Sequence, residues 1–303
     1  MIVALAGGVG AARFLDGLAR VIDPREIYVI GNVGDDAEIH GLHISPDLDT
    51  VMYTLAGLAN RSQGWGLQSE TFHCLDALST LGAETWFRLG DSDLATHLYR
   101  TQRLKVGATL SAVTRDLAAA LQVKSAIVPA TNDRLRTIVE TKAGALEFQE
   151  YFVRRKAQDH VTGLRFEGAG RSRPAPGILN HIAQAEAIVL CPSNPFISIG
   201  PILAVPGIRK ALTQTSALVI AISPIVGGRA LKGPAARMMK SMGHRAQADQ
   251  IAALYKDFLD IFILDEVDAH LAKKIEAQTI VTNTIMKGIA ERKALARAVL
   301  SAI

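Results

Sequence analysis

Residues 2–31 read IVALAGGVGAARFLDGLARVIDPREIYVIG. Two short, mainly apolar runs lie at 2–6 and 26–30. Between them, the apolar residues of segment 11–21 recur at helical spacing, and glycines separate this segment from the first run. A continuous apolar run of this length is typical of a buried parallel strand. Strand, glycine-rich turn, helix and strand together predict the opening of a doubly wound α/β sheet.

Further apolar runs continue this pattern along the chain, and each ends in small, polar, proline or glycine residues. The runs lie at 125–129, 187–190, 217–222, 261–264 and 280–281. Such residues often serve only as turns, but open parallel sheets bind ligands at the carboxyl edge of their strands. We therefore expect a polar edge formed by Gly7, Gly8, Gly10, Asn32, Ser193, Asn194, Ser198, Ser223, Gly227 and Gly228.

Two segments depart from the strand–helix alternation. Residues 51–122 are mainly helical in pattern, with predicted helices at 51–59, 70–81, 94–104 and 110–121. Residues 137–166 contain alternating, β-branched runs that predict a small antiparallel excursion. The predicted fold is one α/β domain over 1–303: a doubly wound, mostly parallel Rossmann-like sheet with a helical insertion and this excursion.

Residues 44–50 read ISPDLDT and place two carboxylates close together. Pro46 biases Ser45 towards extended geometry, so we expect the next helix to start only after Asp49 or Thr50, with Asp47 and Asp49 held in a rigid loop. Such a pair suits a hard cation such as Mg²⁺, or the activation of a hydroxyl nucleophile. The alternative is a capped helix entry after a turn.

The glycine-rich turn at 7–10 suits an anion, because glycines let the backbone approach a phosphate at a helix N-terminus. The P-loop pattern is absent. Arg13 replaces the third small residue of a dinucleotide fingerprint and offers a guanidinium instead. Lys232 adds a cation two residues before Pro234, a residue suited to the first helical position.

A second polar cluster lies at 88–97, where Asp91 and Asp93 follow Arg88, and His97 comes shortly after. One of the aspartates could simply cap the helix that follows, and a single histidine is more often structural. Trp65, between two glycines, could stack on a flat ring, although such a residue is more often packing.

Composition limits the function classes. The chain has 303 residues, 49% of them hydrophobic, with a formal charge of +4 and no dense Lys/Arg run, so neither nucleic-acid nor membrane binding is expected. Cys74 and Cys191 lack metal spacing and predict thiols in a reducing compartment. We expect a cytoplasmic protein acting on small molecules, with a homodimer as the default assembly.

Together these motifs resemble the CofD family of 2-phospho-L-lactate transferases, which act in the biosynthesis of the deazaflavin coenzyme F-420. The resemblance extends from the first strand to beyond residue 260. It rests on Gly7-Gly-Val-Gly10, Ile44-Ser-Pro-Asp-Leu-Asp-Thr50, Leu89-Gly-Asp-x-Asp-x-Ala-Thr-His97, Pro192-Ser-Asn-Pro-x-x-Ser-Ile-Gly-Pro-Ile202, Ser223-Pro-Ile-x-Gly227, Lys232-Gly-Pro-Ala235 and Tyr255-x-Asp-Phe-Leu-Asp260. The turn departs from the Gly-Gly-Thr-Gly and following lysine that are frequent in relatives.

The resemblance implies a reaction. A guanosine-diphosphate-activated phospho-acid donates its phospho-acid moiety to the ribityl hydroxyl of the deazaflavin precursor Fo, GMP leaves, and Mg²⁺ is required. By motif position, Asp49 and Arg88 correspond to the Fo site, where we also expect Asn32, Ser45, Thr50 and His97. The transferred acid could derive from 2-phospholactate, phosphoenolpyruvate or 3-phosphoglycerate.

The chemistry of phosphoryl transfer assigns the remaining roles. Asp47 and Asp49 are the candidate catalytic residues, and the candidate metal ligands are these two with Asp91. Nucleotide and phosphate binding falls to Gly7, Gly8, Gly10, Arg13, Ser193, Asn194, Ser223 and Lys232.

Two other function classes compete with the transferase. The first is a YvcK-like, non-catalytic regulator that binds nucleotide sugars. The paired carboxylates argue against it, because a binding module has less need of a metal site. The second is a nicotinamide dehydrogenase, against which Arg13 argues.

Overall fold

The computed structural model describes residues 1–60 and 62–303. Its centre is a parallel sheet of seven strands in the order β14-β13-β10-β9-β1-β2-β5. The strands of the chain are β1 Ile2–Ala6, β2 Ile27–Gly31, β3 Ala37–Ile39, β4 Leu42–Ile44, β5 Ala126–Pro129, β6 Arg136–Thr141, β7 Gly144–Glu147, β8 Val161–Glu167, β9 Ala187–Leu190, β10 Leu218–Ile222, β11 Ile225–Val226, β12 Arg229–Ala230, β13 Ile261–Leu264 and β14 Gln278–Val281. This confirms the predicted α/β class and its parallel sheet.

The order in which the strands are added to the sheet reverses at β1, while all of its strands stay parallel. Strand β1 pairs with β2 on one side and with β9 on the other. The chain builds outward through β2 and β5, and later returns to β9 and builds outward on the opposite side through β10, β13 and β14. The loops that leave β1 and β9 therefore diverge and open a crevice, which is where ligands bind in open α/β sheets.

Helices cover the sheet and bury its apolar strands. The α-helices are α1 Gly8–Leu18, α2 Pro46–Leu55, α3 His73–Thr80, α4 Asp91–Lys105, α5 Leu110–Ala120, α6 Ile178–Ala183, α7 Gly200–Ala204, α8 Ile208–Gln214, α9 Ala235–Ser241, α10 Ala248–Ala253 and α11 Ile289–Leu300. Phe14, Leu15 and Leu18 lie on one face of α1 and are fully buried, as their helical spacing predicted. Packing of this face fixes α1, and with it the glycine turn that begins it.

The two departures from the alternation are present as predicted. Helices α2 to α5 form the insertion between β4 and β5. Strands β7, β6 and β8 form a separate antiparallel sheet. This sheet has a small core of its own around Val139, Tyr151 and Met238.

The start of α2 differs from the prediction. The helix begins at Pro46, with Ser45 as an extended N-cap at φ −125°, so Asp47 and Asp49 lie in its first turn and not in a loop. Proline is compatible with the first helical position, because its fixed φ is helical and its missing N–H would be unpaired there. Residues two apart on a helix point about 200° apart. The two carboxylates therefore face opposite sides of α2.

Among the described residues, no single helix is long and apolar enough to cross a membrane. One pair of helices, Pro195–Ala204 and Ile208–Gln214, passes the length and composition criteria jointly, but it is bent by 87°.

Candidate active site

A cavity of about 600 Å³ lies at the crevice between the carboxyl ends of β1 and β9. The glycine turn after β1, the loops after β2, β9 and β10, and the start of α2 contribute to its walls. The insertion supplies residues 86–88, and the antiparallel excursion supplies residues 148, 149, 152 and 153. The two inserted segments thus enclose the site that the sheet edge creates.

Asp47 faces this cavity from the first turn of α2, and its carboxylate is held from two directions. Asn32 Nδ2 donates to Asp47 Oδ2 at 2.9 Å, and the Gly8 N–H donates to the same carboxylate. Asn32 also donates to the Ile197 carbonyl at 3.1 Å, which fixes the amide itself. The predicted site residue Asn32 is therefore fully buried and supports Asp47, and it does not line the cavity itself.

Asp35 is a cavity residue that the sequence analysis did not single out. It follows β2, lies in the cavity wall beside Asp47, and accepts a hydrogen bond from Asn32 Nδ2 at 3.2 Å. Its position shortly after a buried strand was the available sequence signal, as it was for Asn32. Asp36, the next residue, faces away and accepts from Ser45 Oγ at 2.9 Å.

The two cavity aspartates are electrostatically coupled. Burial raises the pKa of Asp47 to about 6, against hydrogen bonds from Asn32 and Gly8 that favour the ionised form. Burial and the neighbouring Asp47 and Asp36 carboxylates raise the pKa of Asp35 well above its ordinary value. Two carboxylates in one desolvated site cannot both ionise cheaply. The pair therefore favours a shared proton or a cation.

The carboxylates of this cavity are oxygen donors, which Mg²⁺ prefers. The described residues contain no group of three or more His, Cys, Asp or Glu side chains able to hold a metal ion. Mg²⁺ is often held by only one or two carboxylates, together with water and substrate phosphate. The buried pair Asp35 and Asp47 fits that pattern.

Cations lie on the other part of the cavity, next to the glycine turn. Arg13 and Lys232 both line it, and Lys232 Nζ donates to the Gln63 carbonyl at 2.7 Å. Burial, and to a lesser extent Arg13, lowers the pKa of Lys232. Two cations beside the N-terminus of α1 form an anion site.

The glycine turn leaves no space for larger residues. A Cβ on Gly7 would collide with Asp47 Oδ2 and would lie 2.7 Å from the Ser198 Cβ. Gly8 has φ +70°, a conformation that favours glycine. A Cβ on Gly10 would collide with the carbonyl oxygen of Pro192. The glycines thus let β1, the loop after β9 and Asp47 converge.

The predicted polar residues after β9 and β10 line the cavity and also hold its loops. Ser193 Oγ donates to the Gly7 carbonyl at 2.8 Å and links the two loops at the sheet reversal. The Asn194 side chain accepts from the Phe196 N–H at 3.0 Å, and Ser223 Oγ donates to the Ile225 carbonyl at 2.8 Å. All three lie within the cavity wall. Gly227 and Gly228 lie outside it.

Aromatic residues form much of the remaining wall. They are Trp65, Trp86, Phe87, Phe148 and Phe152. Arg88 lies in the same wall, with its guanidinium 4.1 Å from the centre of the Phe72 ring. Rings of this kind can hold a flat conjugated ligand by stacking. Thr50, from α2, also lines the cavity.

The structure places Asp49 and His97 outside the cavity. Asp49 lies on the far side of α2 and is buried, and both of its oxygens accept from the fully buried Arg100 guanidinium. His97 is also buried, with Nδ1 3.2 Å from Arg100 Nη1 and Nε2 3.3 Å from Asp93 Oδ2. Neither side chain lines the cavity. Asp49 and His97 belong to a buried polar network that joins α2 to α4.

Asp91 and Ser45 are likewise placed outside the cavity. Asp91 accepts from Thr71 Oγ1 at 2.6 Å and from the N–H groups of His73 and Cys74, so it caps α3. The predicted cap of the following helix is therefore wrong, because α4 begins at Asp91 itself and its N-cap is Gly90. Ser45 is fully buried against Asp36. Neither Asp49 nor Asp91 therefore lies beside the cavity carboxylates Asp35 and Asp47.

Comparison with known proteins adds to this geometry. The family model described as 2-phospho-L-lactate transferase CofD matches residues 2–299. The chain belongs to the CofD family. It is therefore a transferase, and the resemblance carried by the motifs is confirmed.

Relatives of this CofD-family chain have two different names. It is 45% identical over 285 residues to a phosphoenolpyruvate transferase of Streptomyces griseus, covering 92% of this chain and 90% of the relative. It is 37% identical over 304 residues to a 2-phospho-L-lactate transferase of Methanocaldococcus jannaschii, covering 99% and 97%. A crystal structure of a UPF0052-family protein from Bacillus halodurans shares the fold, with a TM-score of 0.66, 18% identity, and coverage of 99% and 98%.

Proposed function

We propose that this CofD-family transferase moves a phospho-acid from a guanosine-diphosphate-activated donor to the ribityl hydroxyl of Fo, as a step in coenzyme F-420 biosynthesis. The hydroxyl oxygen forms a bond to the phosphorus that carries the acid. The phosphoanhydride bond to GMP breaks, and the hydroxyl proton passes to a base. The product is a phosphodiester.

One observation supports this proposal most strongly. A single cavity combines a buried carboxylate pair, two cations beside a glycine turn, and an aromatic wall. The cations and the turn suit the diphosphate of the donor. The aromatic wall suits the flat deazaflavin ring. The carboxylates lie where the loops from both parts of the sheet meet, as the reacting centre requires.

We assign proton acceptance to Asp47. Its pKa, raised to about 6 by burial, is close to neutral pH, which is the range where a general base is most effective. Asn32 and the Gly8 N–H orient the carboxylate and leave it at the cavity surface. Arg13 and Lys232 neutralise the diphosphate and the departing GMP.

Mg²⁺ is proposed as the cofactor, and Asp35 and Asp47 are the residues that would hold it. When bound, it would neutralise charge on the diphosphate. The carboxylates and the substrate phosphates supply the oxygen ligands that this ion prefers.

For the transferred acid, we propose the enolpyruvyl group. The Streptomyces griseus relative named phosphoenolpyruvate transferase is 45% identical, whereas the Methanocaldococcus relative named for 2-phospho-L-lactate is 37% identical. The two acids differ only by a double bond, a difference that the shape of the cavity must discriminate.

Binding of Fo is the first test of this proposal. Fluorescence titration of the wild-type protein with Fo, in the presence of Mg²⁺ and GDP, should show saturable binding. Arg88→Ala should weaken it, because Arg88 lies in the aromatic wall, whereas Arg115→Ala, on the exposed surface of α5, should not. Absence of saturable binding to folded wild-type protein would contradict the Fo assignment.

A second assay distinguishes the donors. Wild-type protein is supplied with Fo and either the enolpyruvyl or the lactyl donor, and GMP release is followed for each. A higher kcat/KM for the enolpyruvyl donor is expected, and a preference for the lactyl donor would reverse the assignment of the acid.

A further inference from the structure

A second cavity, of about 390 Å³, lies on the outer side of α1, away from the sheet edge. Its walls come from α1, from the segment after α2 and from the start of α11. It shares Val9 and Arg13 with the active-site cavity, so the two cavities adjoin. None of the roles assigned above uses the side chains that are unique to it.

Its charge is strongly unbalanced. Among the described residues, it is lined by four cationic side chains and one carboxylate, that of Asp16. The cations are Arg13, Arg20, Lys287 and Arg292. Asp16 is already shared, because Arg20 Nε donates to it at 2.9 Å and Arg292 Nη1 donates to it at 2.8 Å. Arg13 and Lys287 form no salt bridge with any residue that the structure describes.

Arg292 lies in the wall of this cavity with most of its side chain buried, and its Nη1 is held by Asp16. Its Nε is fully buried and has no hydrogen-bond partner among the described residues, but an atom without accessible surface does not itself meet a ligand. Clustered cations in a partly enclosed cavity attract an anion.

The chemistry of the lining narrows the ligand class. A guanine base is usually recognised by a free carboxylate acceptor and a flat surface. Here Asp16 is already occupied, and the part of the lining that the structure describes contains no aromatic residue. Arginine and lysine around a small polar cavity suit phosphate oxygens, and the volume accommodates two phosphate groups.

We propose that this second cavity is a binding site for a multiply charged phosphate-bearing anion, separate from the transfer site. The site does not depend on the proposed transfer reaction. Its occupant would be either free inorganic pyrophosphate or the pyrophosphate part of a small metabolite, and both present the same chemistry to the arginines.

Inorganic pyrophosphate is the probe for the test. The protein titrated is the Lys232→Gln variant, and binding is measured by calorimetry at low salt with EDTA present. This substitution weakens binding in the active-site cavity, because Lys232 lines only that cavity. Lys287→Glu is then added, which places a carboxylate among the arginines of the second cavity. Lys210→Glu is the matched control, since it makes the same charge change on an exposed residue of α8.

We expect saturable binding of pyrophosphate. Lys287→Glu should weaken this binding at least about tenfold more than Lys210→Glu does, since a charge-assisted contact contributes about that factor. Lys287 is exposed, and thermal unfolding should confirm that both variants fold. Repeating the titration with ADP in place of pyrophosphate distinguishes the sources: equal binding indicates the pyrophosphate part of a metabolite, and weaker binding indicates the free anion. Equal effects of the two lysine variants, or no saturable binding, would overturn the proposal.

Discussion

Asp47 and Asp49 are two residues apart in the same helical turn, yet their side chains have different environments. Asp47 faces the cavity and is held by an amide and a backbone N–H. Asp49 faces the protein interior and is paired with Arg100. Helical geometry separates them, because a helix rotates about 100° per residue. The substitution of each one therefore has a different expected result.

Stability should depend on pH through Asp47. Its pKa is about 6 in the folded protein and close to 3.8 when unfolded, so the native state binds the proton more tightly. The resulting stabilisation is complete below about pH 4 and is lost as the pH rises to about 6; it amounts to roughly 3 kcal/mol. Urea unfolding in EDTA should show this loss in wild type and a smaller slope in Asp47→Asn. The same slope in both proteins would contradict the shifted pKa.

The transfer rate should show the opposite dependence on pH. A base acts only when ionised, so kcat/KM should rise as the pH increases through about 6. The pH profile of GMP release checks this, measured with saturating Mg²⁺ and again with tenfold less. A bound cation favours the ionised carboxylate, so the midpoint of the pH profile should be lower at the higher Mg²⁺ concentration. A flat profile between pH 5 and 7.5 would exclude Asp47 as the base.

Asp49→Asn should act on stability. The change leaves the Arg100 guanidinium buried without its carboxylate, and breaking a buried pair in this way costs about 3–5 kcal/mol. Urea unfolding measures the loss. The double variant Asp49→Leu with Arg100→Met removes both charges and should recover much of it. If Asp49→Asn unfolds like wild type but loses Fo binding, then Asp49 belongs to the site and its placement here is wrong.

At the level of elements, the glycine turn and the loop after β9 form one wall of the cavity together. Gly7→Ala would bring a Cβ into contact with Asp47 and Ser198, and Gly10→Ala would bring one into the Pro192 carbonyl. The Pro192 carbonyl is a backbone group that cannot move aside, and the Asp47 and Ser198 side chains are buried and closely packed. Each variant should therefore lose about 1–3 kcal/mol of stability and most of its turnover. Unfolding midpoints and GMP release measure these losses.

Gly170→Ala is the control for both glycine variants. A Cβ at Gly170 meets no atom within 4 Å, and its φ is not in the left-handed region. This variant should match wild type in stability and turnover. Wild-type behaviour of Gly7→Ala would show that the turn is not packed against Asp47.

The sequence predicted those elements whose pattern is local. The apolar runs located the strands, and their polar ends located Gly7, Ser193 and Ser223 at one cavity. The start of α2 was misplaced, because proline favours both an extended preceding residue and a first helical position, and only tertiary packing decides between them. Arg100 was missed as the partner of Asp49, because a contact across 51 residues has no local signal.

For the whole molecule, the reversal of the strand order at β1 determines where the cavity lies. Loops from both halves of the sheet meet there, and the helical insertion and the antiparallel excursion close the cavity from the remaining sides. The family match over residues 2–299 includes every segment that lines the cavity. Side chains distant in sequence, such as Asp47 and Lys232, lie around one cavity because of this topology.

The central claim is that this cavity performs the transfer with Asp47 as its base. The most direct measurement is formation of the Fo phosphodiester by mass spectrometry, with the enolpyruvyl donor and Mg²⁺, in wild type, Asp47→Asn and Asp91→Asn. Wild type and Asp91→Asn should form the product at similar rates, because Asp91 only caps α3. Asp47→Asn should be slower by about 10²–10⁴-fold, the usual contribution of a general base. Product formation by Asp47→Asn at the wild-type rate would contradict the claim.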